Sequence, residues 1–183
     1  MFNKIKRWWR WNGRYLHRDI QYGVQNLIRW FPIIWKDRDW DQAYIWDMLE
    51  RKLRNQSYHI KHYGHHVDTD HDSRNMLICA NLIKKIKDEH YDMEYMDYYK
   101  WDSEFLPIEN TKLYEMRSHV RWENFDEYFK KYPLVYKKVV ANIEPDRKDD
   151  KKYIAMRIAQ TNHKRAIRLL FKIMEDQIER WWD

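Results

Sequence analysis

A chain of 183 residues is long enough for one domain with a sizeable core, and its three glycines and four prolines are too few for the turns of an all-β fold. Eleven Trp and fourteen Tyr exceed what a core can fully enclose while pairing every N–H and O–H, so many rings are expected half-buried, at a subunit interface or lining a pocket. One cysteine excludes an internal disulfide, and no apolar run approaches the roughly 18 residues that span a bilayer, so a soluble, cytosolic protein without a signal peptide is expected.

The formal charge of +6 is an N-terminal feature. Residues 1–18 carry Lys4, Lys6, Arg7, Arg10, Arg14 and Arg18 with no acidic residue, interleaved with Trp8, Trp9 and Trp11. Such an arm suits a nucleic-acid backbone with stacked bases, an anionic membrane surface, or an acidic patch on the protein itself. A candidate patch is residues 88–104, where Asp88, Glu89, Asp92, Glu94, Asp97, Asp102 and Glu104 face Lys100 alone. Residues 19–183 read as a single helical domain behind the arm.

Asp19 to Trp35 has Ile20, Val24, Leu27, Ile28 and Phe31 along one helical stripe, with a kink or stop expected at Pro32. The stretch Trp35-Lys36-Asp37-Arg38-Asp39-Trp40-Asp41 opens the next helix, with Asp39 as N-cap, Gln42 completing a capping box and Asp41 in the first turn. From Tyr44 an apolar period runs through Ile45, Met48, Leu49, Leu53 and Ile60 until Gly64 ends the helix. A His/Asp-rich hinge follows. A third helix, about Ser73 to Tyr91, turns Met76, Leu77, Ala80, Ile83 and Ile86 inward, and the short connection predicts an antiparallel pair. Cys79, in this apolar pattern, reads as a small buried hydrophobe.

Residues 92–122 form the irregular or short-stranded middle segment: a short helix from Met93 to Lys100, extended chain around Pro107, and strand or coil from Leu113 to Trp122. Short helices are predicted at Phe125–Tyr132 and Leu134–Asn142. A long last helix then has the seam Ile154, Ile158, Asn162, Ala166, Leu169, Leu170, Ile173 and Ile178. The fold expected is mainly α, a helical bundle.

Three groups of residues have chemical potential. His59, His62, His65, His66 and His71 with Asp68, Asp70 and Asp72 offer metal-ligand types, yet they lack the spacing of a helical zinc motif, and a solvated turn is the simpler account; no metal or other cofactor is expected. Residues 35–41 read either as caps, core indoles and an Arg38 pair with Asp37 or Asp41, or as half of a ligand pocket with Trp35, Trp40 and Tyr44 stacking a base and Asp37 and Asp41 accepting hydroxyl or amine hydrogens. In the last helix, Asn162 sits on the seam where its amide must find partners, and Arg165 and Arg168 can grip carboxylates in the fold or phosphate on a ligand. There is no nucleophile elbow, glycine-rich phosphate loop or paired acid motif, so catalysis has no candidate residue.

Phe31-Pro-Ile-Ile-Trp-Lys-Asp-Arg-Asp-Trp-Asp41 with Tyr44 and Lys52-Leu53, Phe129-Lys-Lys-Tyr-Pro133 with Tyr136-Lys-Lys-Val139, His163 to Met174, and Arg180-Trp-Trp-Asp183 together resemble an uncharacterised family of tailed-bacteriophage proteins. The resemblance runs from about residue 22 to the end and leaves out the basic arm and the His-rich hinge. It implies a phage accessory protein in the cytoplasm of an infected bacterium and supplies no reaction or ligand. The expectation within that context is a homo-oligomer that binds and sequesters a small anionic nucleotide without turning it over. Trp35, Asp37, Arg38, Trp40, Asp41, Tyr44, Asn162, His163, Arg165 and Arg168 are its expected contacts. The competing expectation is a nucleic-acid-associated protein contacting its partner through Lys4, Lys6, Arg7, Trp8, Trp9, Arg10, Trp11 and Arg14, or a component of the virion or its assembly.

Overall fold

The computed structural model describes every residue except 1–5, 8, 11, 12, 14, 66, 182 and 183. It is mainly helical, as expected, with one two-stranded sheet. The chain divides into the compact units Met1–Leu49 and Glu50–Asp183.

In the first unit, α1 spans Leu16–Ile34. It passes through Pro32 rather than stopping there; the ring sits in the last turn, where the Trp35 amide still donates to the Phe31 carbonyl at 2.8 Å. The expected apolar stripe is present but faces solvent: Leu27 and Ile28 are 68% and 71% exposed, and the one buried residue, Ile33, lies on the far side of the helix. α2 spans Ala43–Tyr63, starting later than an Asp39 cap would place it. Asp41 takes the capping role, accepting the Ala43 amide at 2.8 Å.

The second unit contains the larger core. α2 ends at Tyr63 because residue 64 has no room for a Cβ, which would stand 2.4 Å from the Ile60 carbonyl oxygen. Gly64 follows the helix directly, as expected, and its φ is not positive. α3 (Thr69–Lys87) returns antiparallel, tied to α2 by Glu50–Lys87 at 3.1 Å, Arg54–Asn81 at 3.0 Å and Ser57–Ser73 at 2.9 Å. Met76, Cys79, Ala80, Ile83 and Ile86 are buried as predicted, whereas Leu77 is exposed. Burial pushes the Cys79 thiol up to about 11.

A short α4 (His90–Met93) and a 3-10 turn (Glu94–Tyr98) lead into a hairpin, β1 (Tyr99–Pro107) and β2 (Tyr114–Glu123). Its register pairs Trp101 with Val120 and Phe105 with Met116 on one face, and Asp102 with His119 and Glu104 with Arg117 on the other. α5 (Phe125–Lys131) and α6 (Pro133–Ala141) follow, Pro133 opening the second helix, where its missing amide is harmless. Asp150 caps α7 (Lys151–Gln177) by accepting the Tyr153 amide at 2.9 Å.

The core of this unit joins Phe125, Tyr128, Phe129 and Val135 to Ile154, Ala155 and Ile158 of α7. The tyrosine surplus surrounds it: Tyr99 stacks on Phe125, Tyr136 stacks on Phe129, and Tyr98 and Tyr132 flank Tyr128. Leu169 and Ile178, predicted on the seam, are exposed. Trp181 is buried, its carbonyl accepting a hydrogen bond from the Gln56 side chain, so the first Trp of the closing motif is structural. Trp182 and Asp183 lie outside the described residues.

Candidate ligand cleft

The predicted contacts fall in different units. Trp35, Asp37, Arg38, Trp40, Asp41 and Tyr44 belong to the first; Asn162, His163, Arg165 and Arg168 belong to the second. Within the first unit the expected core anchors are on the surface, Trp35 at 71% and Trp40 at 84% exposed. Arg38 pairs with neither carboxylate; its guanidinium donates to the Asp37 backbone carbonyl at 2.7 Å. Asp41 is used as a cap, and Tyr44 and Asp37 are half-buried.

In the second unit, α7 brings Asn162, Arg165 and Arg168 to one cleft of about 420 Å³. Leu82 of α3, Tyr91 of α4, Tyr132 between α5 and α6, and Ala166 and Leu169 of α7 complete it. The spacing of three and four residues along α7 explains the convergence, since such positions share a helix face. Asn162 is buried beside the Tyr128 hydroxyl, toward which its side chain donates, but neither the Asn162 amide nitrogen nor the Tyr128 oxygen makes a well-formed hydrogen bond among the described residues. A buried amide left fully unpaired costs about 1–3 kcal/mol, and the imperfect contact with Tyr128 offsets part of that.

Arg165 and Arg168 are exposed and form no ion pair among the described residues. Both also line an adjoining groove of about 390 Å³ with Leu134, Val135, Lys138, Thr161 and Lys164. Four cations therefore border two connected depressions. His163 Nδ1 lies 2.7 Å from an Asp92 carboxylate oxygen, linking α7 to α4.

One of the two tyrosine walls, Tyr132, is held in place by a carboxylate. Glu94, buried, accepts the Tyr132 hydroxyl at 2.6 Å and the Lys131 ammonium. Burial, then the bond to Glu94, push the Tyr132 phenol well above its ordinary value, and burial, then Glu94, raise that of Tyr91. Both phenols stay protonated near neutral pH and serve as ring surfaces and donors, not bases.

No family model, curated protein or solved structure matches the chain.

The cleft is thus defined by its own chemistry. Tyr91, Tyr132, Lys138 and Lys164 were not legible as site residues; the nearest signal was Tyr132, inside the Phe-Lys-Lys-Tyr-Pro stretch that interrupts two helices. The His-rich hinge has other uses: His62 stacks on Tyr58, His71 lies 3.2 Å from Asp72, and Asp68 pairs with Arg180 at 2.9 Å. Among the described residues, no three His, Cys, Asp or Glu side chains converge as a metal would require; His66 lies outside them.

Of the basic arm, Lys6, Arg7, Trp9 and Arg10 are exposed, while Lys4, Trp8, Trp11 and Arg14 lie outside the described residues. The acidic stretch predicted as its dock is largely engaged locally. Asp92 holds His163, Glu94 holds Lys131 and Tyr132, Asp102 holds Arg121, and Glu104 lies 3.7 Å from His119.

Proposed function

We propose that the protein binds and sequesters a small anionic nucleotide in the α7 cleft, without chemical turnover, as an accessory protein of a bacteriophage acting inside its host. The observation that carries this reading is the incompletely paired Asn162 amide beside the guanidinium groups of Arg165 and Arg168, which form no ion pair among the described residues. An amide donor buried in a cleft suits the acceptor edge of a base or a ribose oxygen. Forked guanidinium groups one turn apart suit phosphate oxygens. Base stacking, expected of Trp35, Trp40 and Tyr44, passes in this proposal to Tyr91 and Tyr132, which share the cleft with the arginines.

The volume is within the range of small-ligand sites, and the adjoining groove with Lys138 and Lys164 favours a ligand carrying more than one phosphate. Thermal shift of the purified protein against a panel of cyclic and linear nucleotides tests the proposal. At least one nucleotide is expected to raise Tm, and Arg165→Ala with Arg168→Ala is expected to weaken its binding at least tenfold. A panel in which nothing raises Tm, or a double variant that binds as the wild type does, contradicts it.

A further inference from the structure

α1 presents an apolar face that its own unit does not cover. At about 100° per residue, Ile20, Val24, Leu27, Ile28, Phe31 and Trp35 fall within an arc of about 120°. All six are more than half exposed. Tyr22, Asn26 and Arg29 occupy the opposite arc, beside Ile33, the helix's one buried residue. The helix therefore carries a continuous apolar stripe that is exposed along its length.

We infer that α1 and the basic arm before it form a peripheral binding site for an anionic lipid surface, with the helix lying in the plane of the interface. Two independent features match this occupant. The outward stripe mixes aliphatic side chains with indoles, Trp35 at its end and Trp40 just beyond, both highly exposed. Indoles favour the headgroup boundary, where a ring is apolar on its faces and polar at its N–H. The second feature is charge: residues 1–18 supply six cations and no acid, the complement of phosphate headgroups. No helix among the described residues is long and apolar enough to cross a membrane, so the attachment is to one face of the bilayer.

Other occupants fit less well. A nucleic acid would use the cations but leaves Ile20, Val24, Leu27 and Ile28 without a role, since aliphatic side chains do not stack bases. A second copy would use the stripe, because Ile20, Val24, Leu27, Phe31 and Ile34 keep coiled-coil spacing. Parallel pairing of that kind would bring two uncompensated basic arms together, and Ile28 and Trp35 make the stripe broader than a two-position seam.

Co-sedimentation of the full chain with phosphatidylcholine vesicles, with and without phosphatidylglycerol, tests the inference, alongside quenching of tryptophan emission by brominated lipid. The chain is expected to pellet with the phosphatidylglycerol vesicles at least tenfold more than with phosphatidylcholine alone, with its emission quenched. Leu27→Glu with Phe31→Glu is expected to reduce pelleting at least tenfold while leaving the far-ultraviolet circular dichroism and any nucleotide response of the α7 cleft unchanged. Lys6→Glu with Arg7→Glu and Arg10→Glu is expected to remove the preference for phosphatidylglycerol. Failure of the wild type to pellet, or unquenched emission in the pelleted protein, overturns the inference. So does full pelleting of the Leu27/Phe31 variant, or displacement of the chain from the vesicles by duplex DNA. A wild type that ignores vesicles but is a dimer, and becomes monomeric in the Leu27/Phe31 variant, assigns the stripe to a second copy.

Discussion

α1 and α7 carry the same sequence signal, apolar residues at helical period, and meet opposite fates. On α7 the seam is buried: Ile154, Ile158 and Leu170 are enclosed, Ile158 with no exposed surface at all. On α1 the stripe is turned to solvent and the single buried residue is on the other side. Periodicity shows that a helix has a face to hide; what hides it depends on neighbours the pattern does not name. The fates also separate stability from recognition. The α7 seam holds the second unit together except at Asn162, where a polar residue interrupts it and faces a cleft. The α1 stripe contributes little to the fold and is available to a partner.

The comparison breaks most visibly if a methylene-rich residue from each helix is truncated. Ile158→Ala removes side-chain atoms from a closed core and is expected to cost about 3 kcal/mol in urea unfolding. The same truncation of Leu27 is expected to change stability by less than about 0.5 kcal/mol, because its side chain is already in water. Equal losses at both positions would mean that the stripe is covered in the folded monomer.

An alkaline titration sharpens the picture on α3. The Cys79 thiol has its folded value raised from 9.0 to about 11 by burial, so the folded state holds its proton longer than the unfolded state does. Its contribution is fully present below about pH 9 and is lost as pH rises toward 11, by up to about 3 kcal/mol. Cys79→Ala should flatten that part of the stability curve. An alkaline limb with the same slope in wild type and variant would mean that the thiol is not enclosed. A smaller effect is expected from Tyr132→Phe, which leaves Glu94 short of one donor and should cost about 1–2 kcal/mol in the same unfolding assay.

Much of the fold was legible because its signals are local. The break between the two short helices at Pro133 and the inward row Met76, Ala80, Ile83 and Ile86 need only nearest neighbours to interpret. The hairpin was harder. The alternation Trp101, Ser103, Phe105 is readable afterwards, but the turn between the strands runs through Asn110 in the left-handed region without the Asn-Gly pair that announces a tight hairpin. Residues 35–41 misled for a different reason. Their density of indoles and carboxylates implied a packed anchor, whereas Trp35 and Trp40 are exposed and Asp41 serves as a cap. The α7 half of the site was visible as one polar residue out of place on an apolar seam. Its tyrosine walls were not, because Tyr91 and Tyr132 come from other elements and meet α7 only through tertiary packing.

Asn162→Leu tests the central claim most directly, because the cleft account assigns this amide to a ligand and not to the fold. Measured by urea unfolding without nucleotide, the variant should lie within about 1 kcal/mol of the wild type, since it removes an incompletely paired buried donor together with its weak contact to Tyr128. In the same preparation, the nucleotide that raises the wild-type Tm should no longer do so. A variant that loses stability yet keeps the full nucleotide response would contradict the account, placing Asn162 in the architecture of α7 and the ligand elsewhere.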